Sequence, residues 1–101
     1  VLNIPVMNSL SLQSVISRNP LLVSSEIDNE RIMMNTKTGE YYGLDAIGNR
    51  IWTLLEKPIK ISSLIEILVA EFNVSANQCE SDTLEFLAQL SEKQLIIQTN
   101  D

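Results

Sequence analysis

Glu40-Tyr41-Tyr42-Gly43-Leu44-Asp45-Ala46-Ile47-Gly48-Asn49-Arg50-Ile51-Trp52 is the stretch on which the fold turns. Up to Leu44 the side chains read with a period of two. Tyr42 and Leu44 share one face of a strand, while Tyr41 and Gly43 share the other. Beyond Asp45 the apolar positions follow the helical repeat of about 3.6 residues. Ile47, Ile51, Leu54 and Leu55 recur at that spacing, with Trp52 alongside. Asp45 stands at the change, and its short acceptor side chain suits a helix N-cap. Gly48 within the helix costs up to ~1 kcal/mol against alanine, so close packing is expected there.

Toward the N-terminus the signals are β. Leu21-Leu22-Val23 leads through Ser24, Ser25 and Glu26 to Ile27, and Asp28-Asn29 supplies a turn. Arg31 to Asn35 alternates loosely, with Ile32 and Met34 on one face. Thr36-Lys37-Thr38-Gly39 reads as a hairpin loop, with Gly39 free to take a positive φ. Three short strands joined by tight turns make an antiparallel sheet. Residues 1–20 read as an N-terminal arm that Pro20 closes. Its apolar residues, among them Leu2, Ile4, Val6, Met7, Leu10, Leu12, Val15 and Ile16, are too many for a solvated tail. They should pack on the domain, on a second copy or on a partner.

Toward the C-terminus the pattern stays helical. Pro58 ends the first helix. Ser63 and Glu66 stand three apart, as in a capping box, and Leu64, Ile65, Leu68 and Phe72 form the next apolar stripe. Asn73-Val74-Ser75 interrupts it. A third helix runs roughly from Asn77 to Lys93, with Cys79, Thr83, Phe86, Leu87 and Leu90 facing inward. Leu95-Ile96-Ile97 is a short apolar coda. The order is βββααα, an α+β domain over residues 21–98 in which a three-stranded antiparallel sheet precedes a three-helix bundle.

Composition excludes several chemistries. The chain has 101 residues, 45% of them hydrophobic, which is enough for one modestly stable core. It has no histidine, which removes the commonest general base and metal ligand. Its one cysteine, Cys79, allows neither an intramolecular disulfide nor a Cys-cluster zinc site, and reads as a small buried apolar residue. Gly39, Gly43 and Gly48 stand in no phosphate-loop pattern. No metal, cofactor or catalytic residue is expected, and a histidine-free enzyme is the weakest reading. One thiol and no signal peptide suit a reducing cytoplasm, and no apolar run spans a bilayer. The formal net charge is −6, with seven scattered basic residues, which disfavours nucleic acid.

The stretch from Tyr41 to Trp52 resembles the centre of the PqqD family: an aromatic strand, a Leu-Asp helix entry, a glycine, and an Ile-Trp pair one turn on. A second block also matches, with Asp82-Thr83, Phe86-Leu87, Leu90 and a terminal Leu95-Ile96-Ile97. The resemblance covers residues 20–98. Asp45 stands where the family more often has Asn, Thr83 where it has Val, and Lys57-Pro58 where a Gly is common. The resemblance implies a winged-helix-like fold and a recognition element for ribosomally made, post-translationally modified peptides (RiPPs). Such elements take the leader of the precursor as an added antiparallel strand, in a cleft facing the third helix. Implied partners are the precursor leader peptide and either a radical-SAM enzyme, as in PQQ synthesis, or the leader protease and cyclase of lasso-peptide pathways. The acidic charge and the long arm lean toward the lasso type.

On this reading the peptide-binding residues are Glu40, Tyr41, Tyr42, Gly43 and Leu44 on the receiving strand, with Asp82, Glu85, Phe86 and Gln89 on the third helix. An open edge offers unpaired backbone groups that a guest strand satisfies. Gly43 allows close approach of a guest backbone, though it also suits a bulge. Tyr41 and Tyr42 offer amphipathic walls, though cross-strand packing explains either. Asp82 and Glu85 favour a guest with Lys or Arg. Phe86 and Trp52 have core packing as their plainer reading. The runner-up function is a winged-helix DNA-binding regulator. It needs a basic recognition helix, yet the third helix carries Glu80, Asp82, Glu85 and Glu92 against Lys93 alone. An apolar arm and an open edge also make a homodimer a candidate.

Overall fold

The computed structural model describes residues 10–99. Three strands form the hairpin sheet: β2 (Leu22–Ile27), β3 (Glu30–Asn35) and β4 (Tyr41–Leu44), in the spatial order β2-β3-β4. Asp28 and Asn29 both take positive φ (52° and 68°), the left-handed pair of a two-residue hairpin turn whose twist matches the strands. Gly39, at φ 78°, closes the second hairpin, where Asn35 Oδ1 accepts from the backbone N–H groups of Lys37 and Thr38. Pairing along β4 is unbroken from Arg31↔Leu44 to Met34↔Tyr41, so Gly43 marks no bulge.

The helices follow as α1 (Ala46–Leu54), α2 (Ile61–Phe72) and α3 (Ala76–Glu92). Asp45 caps α1, accepting from Gly48 N at 2.9 Å. Asn73 in the left-handed region (φ 51°) ends α2, and Ser75 caps α3.

The arm reading is corrected over its described part. Residues 15–18 are a strand, β1 (Val15–Arg18), at the centre of a second antiparallel sheet. Its neighbours are β5 (Ile59–Lys60), just before α2, and β6 (Ile96–Thr99), the apolar coda. Ile16 at the middle of β1 is fully buried in the core. The earlier positions Leu2, Ile4, Val6 and Met7 lie outside the described residues.

The capping box at Ser63 and Glu66 is a second correction. α2 starts at Ile61, before Ser63, and Lys60 at its N-cap makes no side-chain bond. The first free amides of α2 are instead satisfied by the segment ahead of β1. Ile61 N donates to Ser14 O at 2.9 Å and Ser62 N to Leu12 O at 3.0 Å. The segment read as an arm is thus the cap of α2.

One core joins both sheets and all three helices. Ile16, Met33, Trp52, Leu55, Ile61, Leu64, Leu87 and Leu95 are its fully buried members. Arg18 links β1 to α1: its Nε donates to Trp52 O at 2.9 Å, and its guanidinium lies 5.1 Å from the centre of the indole. Burial there pushes the Arg18 pKa below its ordinary value, with Arg31 adding to the effect.

Candidate functional site

β4 is positioned by a polar clamp as well as by the core. Arg31 Nε donates to Asn49 Oδ1 at 2.6 Å, and its Nη1 to Ser24 Oγ at 2.9 Å. Asn49 is buried, and its Nδ2 donates to Asn29 O at 3.2 Å. One arginine therefore ties β2, β3 and α1 together, which fixes β4 relative to the helices that follow it. On its far side β4 has no strand neighbour among the described residues. Among the described residues no strand pairs with its backbone groups on that edge, which suits a partner strand.

At the helix end of this edge lies a cavity of about 380 Å³. α1 lines it with Ile47, Gly48 and Ile51, α2 with Leu68 and Phe72, and α3 with Gln78, Cys79, Asp82, Thr83 and Phe86. Asp45 and Val74 complete the lining. Gly48 lets α1 and α3 close on one another. A Cβ added there would lie 3.3 Å from Phe86 Cζ and 3.2 Å from Leu44 Cβ. The close packing expected at Gly48 is this contact.

The predicted site residues divide into three groups. Asp82 and Phe86 line the cavity. Glu85 and Gln89 are exposed on α3 and continue along the helix from Asp82 without lining the cavity. On the strand, Tyr42 and Leu44 point inward, Leu44 into the core, so it offers a guest only its backbone. Tyr41 and Gly43 point outward, and Tyr41 is 71% exposed. Glu40 precedes β4 and accepts from the Tyr42 hydroxyl at 3.1 Å. Partial desolvation, and then the adjacent Glu40 carboxylate, holds the Tyr42 phenol above its ordinary pKa. Three residues at the cavity mouth were not singled out as site residues from the sequence: Ile47, Phe72 and Val74. All three are exposed large hydrophobics. Their one sequence signal is an apolar residue at or near a helix end, where core and surface look alike.

The cavity's charge is one-sided. Among the described residues, Asp45 and Asp82 are its ionisable carboxyls, and no Lys or Arg lines it. Arg50 on α1 is held by Glu71, with Nε 2.9 Å from Oε1. That bond raises the Arg50 pKa and lowers that of Glu71. No group of three or more His, Cys, Asp or Glu able to hold a metal occurs among the described residues. None of the described helices is long and apolar enough to cross a membrane.

The outer face of the hairpin sheet is the other apolar surface. Val23, Ile27, Ile32 and Tyr41 are exposed on it. The register places Val23 beside Met34, Met34 beside Tyr41, and Ile32 beside Gly43, so these residues form one face.

No curated protein matches the chain. A solved structure described as "TbiB1 in Complex with the TbiA(beta) Leader Peptide" matches with a TM-score of 0.76 and 35% identity, over 84% of this chain and 99% of that one. The family model of coenzyme PQQ synthesis protein D (PqqD) matches residues 30–96, which takes in β3, β4, all three helices and the start of β6. The chain belongs to the PqqD family.

Proposed function

We propose that this protein binds the leader region of a ribosomally synthesised precursor peptide by strand addition to β4 and holds it for modifying enzymes. The observation that carries this reading is the open edge of β4 running directly to an apolar cavity walled by α3. The edge supplies backbone hydrogen bonds in register, and the cavity and flanking side chains supply selection. The similar TbiB1 structure holds a leader peptide, and that supports the same role here. Glu40, Tyr41, Tyr42, Gly43 and Leu44 serve as the receiving strand. Asp82 and Phe86 serve in the cavity, and Glu85 and Gln89 further along α3.

Calorimetry of the full chain with the leader encoded beside its gene should show one-to-one binding in the micromolar to nanomolar range. That range reflects main-chain bonds and apolar burial offset by several kcal/mol of association cost. No heat and no anisotropy change at high micromolar leader would remove the proposal. The DNA-binding alternative is disfavoured by the exposed acids Asp82, Glu85 and Glu92 on α3.

The chain's part is binding and presentation, and the chemistry belongs to a partner enzyme. The acidic charge favours the leader protease and cyclase of lasso-type pathways over a radical-SAM partner. The outer sheet face is the surface we assign to that enzyme. Guest residues opposite Tyr41 and Gly43 point to the same side as those two, so a bound leader extends this face. Ile32→Asp should leave leader affinity within about twofold and reduce enzyme turnover of the bound precursor at least tenfold, roughly 1.4 kcal/mol. Normal turnover with Ile32→Asp would remove the assignment.

A further inference from the structure

The hairpin sheet has a second edge, β2. Among the described residues no strand pairs with β2 on the side away from β3. The ladder between β2 and β3 is unbroken from Leu22↔Asn35 to Ile27↔Glu30, so no bulge twists this edge away. β2 carries no proline and no lysine, the usual means of blunting an exposed edge. Its one charge, Glu26, is held by Arg31 at 3.3 Å.

The ladder also fixes which backbone groups of β2 face outward. The Asp28-Asn29 turn is closed by a bonded pair, Ile27↔Glu30. Bonded pairs alternate from there through Ser25↔Ile32 and Val23↔Met34, and Thr36 N donating to Leu21 O at 2.9 Å continues the series. The N–H and C=O groups of Leu22, Ser24 and Glu26 therefore point away from β3. Leu22 N is engaged, donating to Asn19 O at 3.1 Å. Those of Ser24 and Glu26 have no partner among the described residues.

We infer that a second copy of this chain occupies this edge, paired β2 to β2 about a two-fold axis at Ser25. The register is self-complementary. Ser24 pairs with the partner's Glu26, Glu26 pairs with the partner's Ser24, and each pair exchanges both of its backbone bonds. Ser25 meets the partner's Ser25 on the axis. On the outer face Val23 meets the partner's Ile27, and these side chains are 51% and 57% exposed in the single chain. Covering them gains hydrophobic stabilisation. The partner's Ile27 then stands at the β2 side of a shallow recess of about 400 Å³ lined by Val23, Ile32, Met34 and Tyr41. A register that paired Ser24 with itself would set Val23 against Ser25 and would need the Leu22 amide that Asn19 already holds.

Charge is complementary across the pair. Ser24 Oγ accepts from Arg31 Nη1 at 2.9 Å, which leaves its hydroxyl proton to donate to the carboxylate of the partner's Glu26 directly opposite. Each arginine then lies between two glutamates, and no like charges meet on the axis. The two hairpin sheets join into one with a β4 at each outer edge, so two guest strands bind without competing. The dimer does not depend on what β4 binds.

Sedimentation equilibrium of the full chain, loaded from about 10 µM to about 1 mM, should show reversible dimerisation in the sub-millimolar range that a small interface supports. Ser25→Lys sets two like charges face to face on the axis and should weaken association at least about tenfold, with leader affinity kept within about twofold. In a Cys79→Ala background, Ser25→Cys should give a disulfide-linked dimer on mild oxidation, since directly opposed residues of an unbonded pair lie within disulfide reach. Thr38→Cys, on the other hairpin, should stay monomeric under the same treatment. A chain that remains monomeric over the whole range, association that Ser25→Lys does not weaken, or a Thr38→Cys dimer as ready as the Ser25→Cys one would each overturn the β2 pairing and leave leader binding at β4 standing.

Discussion

Trp52→Ala is expected to lower the stability of the domain by about 3–5 kcal/mol, the range for truncating a buried Trp to alanine. Trp52 is 1% exposed and sits where α1 meets β1. Its indole N–H has no acceptor among the described residues, so its contribution comes from apolar contact and from the Arg18 guanidinium above the ring. Truncation leaves a cavity that the surrounding sheets and helices fill only in part. It also deprives Arg18 of its platform while that side chain stays half-buried. A domain of this kind has ~5–15 kcal/mol in total, so the variant should be largely unfolded at modest urea. Far-UV circular dichroism is the suitable readout, since Trp52 is the chain's one tryptophan. Urea transitions of both proteins, extrapolated linearly to water, supply the comparison. A difference of less than about 1 kcal/mol between the two extrapolated values would show that the core does not depend on this ring.

Ile47→Asp is expected to leave the fold intact and to weaken leader binding about 10- to 100-fold, roughly 1.4–2.7 kcal/mol. Ile47 is 55% exposed in the first turn of α1, so its removal opens no hole in the core. An aspartate there also interacts favourably with the positive end of the helix dipole. The binding side is different. Ile47 forms the α1 wall of the cavity, and a charge on that wall must lose its water when an apolar anchor enters. The thermal midpoint should move little while the dissociation constant rises. An unchanged constant would mean that the leader does not use this cavity.

The hairpin sheet and the helices were legible because their signals are local. Asp28-Asn29 and Gly39 mark turns by backbone preference, and Asp45 marks a helix start by a bond three residues away. The second sheet was not legible for the opposite reason. β1, β5 and β6 are short and come from the beginning, middle and end of the chain, so only tertiary pairing defines them. Val15-Ile16-Ser17-Arg18 shows no clean alternation, since only Ile16 is fully buried and Arg18 turns back onto Trp52. Ser63 and Glu66 carried a capping signal, but backbone carbonyls of Leu12 and Ser14 satisfy the helix start three-dimensionally.

Within the site, Asp82 and Phe86 were readable from α3 because helical spacing sets them on one side. Ile47, Phe72 and Val74 were not. Their spacing fits a buried stripe as well as an exposed rim, and the distinction depends on how α1, α2 and α3 splay around Gly48. Leu44 shows the converse: it belongs to the receiving strand, yet its side chain is committed to the core.

The carbonyls of Leu12 and Ser14 at the start of α2 bear on how this module can be transplanted. A fusion that begins at Leu21, where the hairpin sheet starts, would discard Ile16 and leave two amides of α2 without their acceptors. The portable unit begins at or before Leu10, and any hinge to a neighbouring protein belongs upstream of it.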